Sequence, residues 1–181
     1  MWSPASVAHL LRELGGIAST AELRAHGLSA QDLRIAYSYG SLRRVRRGWY
    51  AHPRLATPLV YAWAWGGVLA CHSALAFGTD LYRVNARLDL PLHVSVAGNS
   101  SIPSRPLSAR VTAPAILHWD LVNDASESRE DARHDARAPR TLVVPPDVAA
   151  MQAAHCDRLR EPSYGIARSR VRRPTSPGWL A

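Results

Sequence analysis

A chain of 181 residues with 47% hydrophobic content can bury a core and hold one large domain or two small ones, which excludes a wholly disordered protein. Its formal net charge of +8, from 22 basic residues that are all arginine against 14 acids, points to a polyanionic partner. Cys71 and Cys156 stand outside any CxxC pair, which excludes a disulfide scaffold and suits a reducing cytoplasm; the start of the chain lacks a signal-peptide pattern, and the most apolar stretch, Leu59 to Phe77, is broken by Gly66-Gly67 and His72, against a membrane span.

The first predicted helix is capped by Ser3 and opened by Pro4, with Val7, Leu10, Leu11 and Leu14 recurring on one face before Gly15-Gly16 ends it. Ser19 and Glu22 then form an S-x-x-E capping box, so a second helix starts at Thr20, turns Leu23 inward and stops at Gly27. Ser29 caps a third, flanked by Leu28 and Leu33 as a hydrophobic staple, and this helix runs to about Tyr39. Two helices separated by a short glycine-containing turn have the spacing of a helix-turn-helix, whose second helix enters the major groove. A β-hairpin follows: Leu42 to Val45 and Trp49 to Ala51 are β-prone runs joined by Arg46-Arg47-Gly48, where glycine supplies the turn's positive φ.

The whole predicts an α+β protein that opens with a winged helix-turn-helix over residues 1–54, with Leu10, Leu14, Ile17, Leu23, Leu33, Val45 and Trp49 as its core. With Leu33 and Ala36 facing inward, the candidate DNA-binding residues of the recognition helix are Ser29, Gln31, Arg34, Tyr37 and Ser38. Those of the wing are Arg43, Arg44, Arg46 and Arg47, whose planar forks suit phosphate oxygens or a narrow minor groove. A bare arginine run is as readily a solvated face; the preceding helix pair favours the interface.

Residues 55–123 predict an α+β support domain. Thr57 caps a helix that continues to Gly66-Gly67, a second runs from Val68 to Phe77, and Gly78 ends it. Leu92, Val94 and Val96 alternate with His93 and Ser95 in the period of a half-buried strand, and Ala109–Ala113 and Ile116–Trp119 read as two more. Residues 124–140 are polar and mixed in charge, the signature of a linker. Residues 141–181 hold a short helix over Val143–Cys156 and a basic tail with Arg168, Arg170, Arg172 and Arg173, read as a solvated end or a DNA-tracking arm. Positive charge gathers at both ends: residues 1–54 carry eight arginines against Glu13, Glu22 and Asp32, and residues 157–181 carry six against Asp157 and Glu161.

The run GGIASTAELRAHGLSAQDLRIAYSYGSLRRVRRGWYAHP, followed by ACHSALAFGTDL and LPLHVSVAG, resembles the AbiEi-like antitoxin family of actinobacteria and their phages over roughly residues 5–120. The resemblance implies an N-terminal winged helix-turn-helix and an autoregulatory repressor whose partners are double-stranded DNA and a cognate toxin protein. Some relatives add a restriction-endonuclease-like C-terminal domain, whereas this chain runs into an arginine- and proline-rich stretch.

An enzyme is not predicted. The chain has no lysine for a nuclease site, and Glu127, Glu130, Asp131 and Asp135 fall in the linker-like stretch. His118 and Asp120 form an H-x-D pair that chance supplies often. Cys71-His72 and His155-Cys156 invite a zinc reading, since two Cys and two His can form a tetrahedral site, but adjacent helical residues point about 100° apart, so each pair would have difficulty supplying both ligands; a buried cysteine beside a packed histidine is expected instead. Neither a Gly-rich phosphate loop nor a nucleophile elbow occurs, so no catalytic residue, cofactor or metal is assigned. The function expected is sequence-specific transcriptional repression by DNA binding in the cytoplasm, as an antitoxin-like autoregulator or a phage or mobile-element repressor, the alternative being a non-catalytic protein-interaction module that neutralises a partner by binding it.

Overall fold

Three serines set the starts of the first three helices in the computed structural model, which describes residues 2–82, 91–97, 114–120 and 141–160. In α1 (Pro4–Glu13) the Ser3 hydroxyl accepts from the Ser6 amide at 3.1 Å, and Val7, Leu10 and Leu11 are buried. In α2 (Thr20–Ala25) the capping box closes in both directions, Glu22 N donating to Ser19 Oγ at 3.2 Å and Ser19 N to Glu22 Oε2 at 2.7 Å. In α3 (Ala30–Ser38) Asp32 plays the same part for Ser29. These bonds satisfy amides that a helix start leaves unpaired, which is why the boundaries fall where they do.

Between α1 and α2 the chain adds a strand that was not expected, β1 (Ile17–Ser19), too short for an alternation to register. It joins the hairpin of β2 (Arg43–Arg46) and β3 (Trp49–Ala51) in an antiparallel sheet ordered β1-β3-β2. The hairpin differs from expectation in one respect. Arg46 stays in the strand opposite Trp49, leaving a turn of Arg47 and Gly48 (φ +76°), while the register slips at Val45 in a β-bulge.

The two faces of this sheet belong to different cores. Ala18 packs with Val7, Leu10, Leu11, Leu23 and Leu33 beneath α1 to α3, with Tyr50 against them. Ile17, Val45 and Ala51 turn the other way and join a larger core built by the rest of the chain. The residues expected to form one N-terminal core are therefore divided, because strand residues alternate in direction and both faces are covered.

The second half begins with α4 (Thr57–Ala64), whose N-cap is Ala56 with no side-chain cap; Thr57, the expected cap, is already helical. Val68, expected to open a helix, lies instead in β4 (Val68–Leu69), and α5 (Cys71–Phe77) starts later. Pairing of Val68 with Ser95 and Leu69 with Val94 outweighs local helix preference. The central strand β5 (Leu92–Ala97) is antiparallel to β4 and parallel to β6 (Ala115–Asp120). Its six residues are all buried, His93 and Ser95 included, so the half-buried reading is corrected: α4 and α5 both pack on it. A fully covered strand is usual where parallel pairing occurs.

Residues 142–144 run beside β4, Leu69 N donating to Leu142 O and Val144 N to Leu69 O, both at 2.9 Å, before α6 (Pro146–Arg160) packs against α5. Val143 is thus in a β-bridge and the helix continues past Cys156. The expected strand Ala109–Ala113, the linker 124–140 and the arginines Arg168 to Arg173 lie outside the described residues. No helix among the described residues is long and apolar enough to cross a membrane.

Candidate nucleic-acid interface

A cleft of about 350 Å³ opens between α2, α3 and the hairpin, lined by Thr20, Arg24, Ala30, Leu33, Arg34, Tyr37, Arg44 and Tyr50. Three elements each contribute one arginine to it, and none of its lining residues is acidic. The nearby acids are engaged elsewhere: Glu22 and Asp32 accept from the amides of Ser19 and Ser29. Hydrogen bonds from the Ser29 hydroxyl and then its amide hold the Asp32 carboxyl below the usual range, so it stays ionised on the capping side of α3. An arginine-rich concavity between two helices and a hairpin is the footprint expected for a polyanion.

Of the expected recognition-helix residues, Gln31, Arg34, Tyr37 and Ser38 are all exposed. Arg34 Nη1 donates to Gln31 Oε1 at 3.0 Å, so the two act as a pair, and Tyr37 keeps 57% of its surface in solvent. Ser38 donates its hydroxyl to Ile35 O at 2.8 Å within its own helix. Ser29 is placed differently: its hydroxyl serves the cap.

The four hairpin arginines do not form one surface. Arg44 pairs across from Tyr50 and lines the cleft; Arg47 is exposed at the turn. Arg43 shares the opposite face with Ala51 and is half-buried, its Nη1 donating to Pro53 O at 3.5 Å; burial lowers its pKa from the usual arginine value. Regular alternation would place Arg46 beside Arg44. The bulge at Val45 reverses it onto the Arg43 side, where its guanidinium lies 5.3 Å from the Trp49 ring centroid and 5.8 Å from that of Trp63. Arg46 therefore stacks on two indoles at the α4 side of the sheet.

Thr20, Arg24 and Tyr50 line the cleft without having been singled out from sequence. Two signals point to them: Thr20 and Arg24 share a helix face at i, i+4, and Tyr50 alternates with Trp49 and Ala51, which face the other core.

A second cluster of chemically versatile side chains lies away from the cleft. Cys71 at the first turn of α5, His93 on β5, His118 on β6 and Cys156 on α6 bring one potential ligand atom each within 4.8 Å of one another. Burial pushes the Cys71 thiol up to about 11, with the neighbouring Cys156 adding to the shift.

No protein-family model matches the chain, and no curated protein matches it.

Proposed function

We propose that residues 1–54 form a winged helix-turn-helix that binds duplex DNA and that the protein is a sequence-specific transcriptional repressor. The observation that carries this reading is the cleft in which Arg24 of α2, Arg34 of α3 and Arg44 of β2 converge with Tyr37 and Tyr50. α3 supplies base-reading chemistry: the Arg34 fork matches the O6/N7 edge of guanine, and Gln31 can pair with adenine. Arg24, Arg44 and Arg47 supply sequence-independent phosphate contacts that fix register on the duplex. The order helix, strand, helix, helix and hairpin supports a wing lying beside a recognition helix. The antitoxin-like autoregulator suggested by sequence resemblance is the biological form of this activity that we favour.

A protein-binding role for the same surface is the competing reading, favoured by Tyr39, which is 75% exposed at the end of α3 and outside the cleft. Salt separates the two. Selection of bound duplexes from a random pool, followed by titration of the winning site, is expected to enrich one motif and give a log K that falls steeply with log salt. No enrichment together with a flat salt response would overturn the DNA-binding reading.

A further inference from the structure

Four segments far apart in sequence deliver two thiols and two imidazoles to one buried point. His93 Nδ1 lies 2.9 Å from His118 Nε2 and 3.8 Å from Cys156 Sγ, and all four ligand atoms lie within 4.8 Å of one another. In a tetrahedral zinc site, bonds of about 2.0–2.1 Å to nitrogen and 2.3 Å to sulfur place ligand atoms roughly 3.3–3.8 Å apart. The two histidine nitrogens would have to part by about 0.4 Å and the widest pair of ligand atoms close by up to about 1 Å to reach that cage, movements within reach of side-chain rotation. Its surroundings fit as well: Cys71, His93 and Cys156 are buried and His118 half-buried, so four protein side chains can fill a tetrahedral shell.

We propose that Cys71, His93, His118 and Cys156 form a structural Cys2His2 metal site, with zinc(II) as its ion, that clamps α5, β5, β6 and α6 together. Two thiolates with two imidazoles in a closed tetrahedron select zinc among the common divalent ions, whereas an oxygen-seeking cation finds no donor of its kind here. The fold holds the ligands in place independently. The Cys71 amide donates to Gln152 Oε1 at 3.1 Å, tying α5 to α6, and the His93 amide donates to Ser73 Oγ at 3.0 Å, tying β5 to α5. Cys71 itself has φ +51°, a left-handed conformation that is costly for a residue with a side chain and that persists where surrounding contacts impose it.

Neither Cys–His dipeptide uses both members: His72 turns to Asp157, with Nε2 2.9 Å from Oδ1, and His155 is exposed. The remaining ligands come from the two parallel strands, which put Ser95 opposite His118 and so bring His93 within reach of it.

The test uses the full-length chain purified without chelator from zinc-supplemented cells. Elemental analysis is expected to find about one zinc per chain after dialysis, and a strong chelator is expected to lower the melting temperature by several degrees. Replacement with cobalt(II) should give the ligand-field bands of a tetrahedral ion and a thiolate charge-transfer band; Cys156→Ser should weaken the latter, and His118→Asn, at the half-buried edge, should lower zinc content at least tenfold. If either variant fails to fold, the cobalt spectrum of the unmodified chain still decides. Substoichiometric zinc with no tetrahedral cobalt spectrum would overturn the proposal. So would an intact mass lower by two hydrogens in the freshly purified protein, which marks a Cys71–Cys156 disulfide instead. None of these readouts involves DNA, so the outcome is independent of the repressor reading.

Discussion

Arg34 enters the cleft from α3 with its guanidinium already oriented by Gln31, 3.0 Å away. A positioned planar fork loses less freedom on meeting a guanine edge than a free one, which suits it to reading bases. Arg34→Ala is expected to cost about 1–3 kcal/mol on the selected site and much less on random duplex, measured by competition binding. Equal losses on both would reassign Arg34 to phosphate. His52 makes a prediction of another kind. It is buried, its Nδ1 accepts from the Arg54 amide at 3.1 Å, and burial first, then the charges of Arg12 and Arg54, lowers its pKa below 6.5. The folded protein thus refuses a proton that the unfolded chain takes up near 6.5, so this contribution to stability is complete above about pH 6.5 and fades as pH falls through the depressed folded value. Chemical denaturation from pH 7.5 to 5 should show stability dropping less steeply with acidity in His52→Asn than in the unmodified protein; parallel curves would remove His52 as a cause.

Among elements, the hairpin separates two kinds of arginine. Arg44→Ala with Arg47→Ala is expected to weaken binding to every duplex and to lower the salt slope by about two units, with little change in melting temperature. Arg43→Ala with Arg46→Ala should do the opposite, since Arg46 stacks on Trp49 and Trp63 and such contacts are worth about 0.5–2 kcal/mol each. Identical effects of the two pairs would contradict the role given to the bulge. Gly67 offers a check on the second half: a Cβ there would sit 2.1 Å from Ser95 O and 2.6 Å from Val94 Cγ1. Gly67→Ala must push β5 away, and a loss of about 1–3 kcal/mol or more in denaturant unfolding is expected. The starts of α2 and α3 were legible in sequence because a capping serine and a carboxylate three residues on are local signals, complete within one turn of chain. The bulge at Val45, the strand Val68–Leu69 and the burial of His93 were not, for each depends on a partner strand or covering helix that no local pattern names. The same reason hid the Cys–His cluster, whose ligands share no short spacing.

At the scale of the whole molecule, charge and core pull in different directions. The arginine surplus sits at the two ends of the sequence, and residues 161–181 hold Arg168, Arg170, Arg172 and Arg173 against one acid, Glu161. A chain ending at Arg160 is expected to bind any duplex about tenfold or more weakly at low salt, with a shallower salt slope, because several phosphate contacts are lost; unchanged affinity in a filter or fluorescence titration would exclude the tail from binding. The core, by contrast, joins the halves: Ile17, Val45 and Ala51 pack with Leu59, Trp63 and Val94, and Trp49 meets Trp63 edge-on at 5.1 Å. This union has a consequence for the order in which the protein takes shape. The parallel register pairs Leu92 with Ala115, distant in sequence, so chain entropy must be lost before pairing repays it, whereas α2, α3 and the hairpin are built from near neighbours. During synthesis the N-terminal helices and hairpin can therefore form first, with one side of their sheet bare. Ile17, Val45 and Ala51 then present a sticky surface to other nascent chains, and α4, the next helix to leave the ribosome, shields it before the slower half is finished.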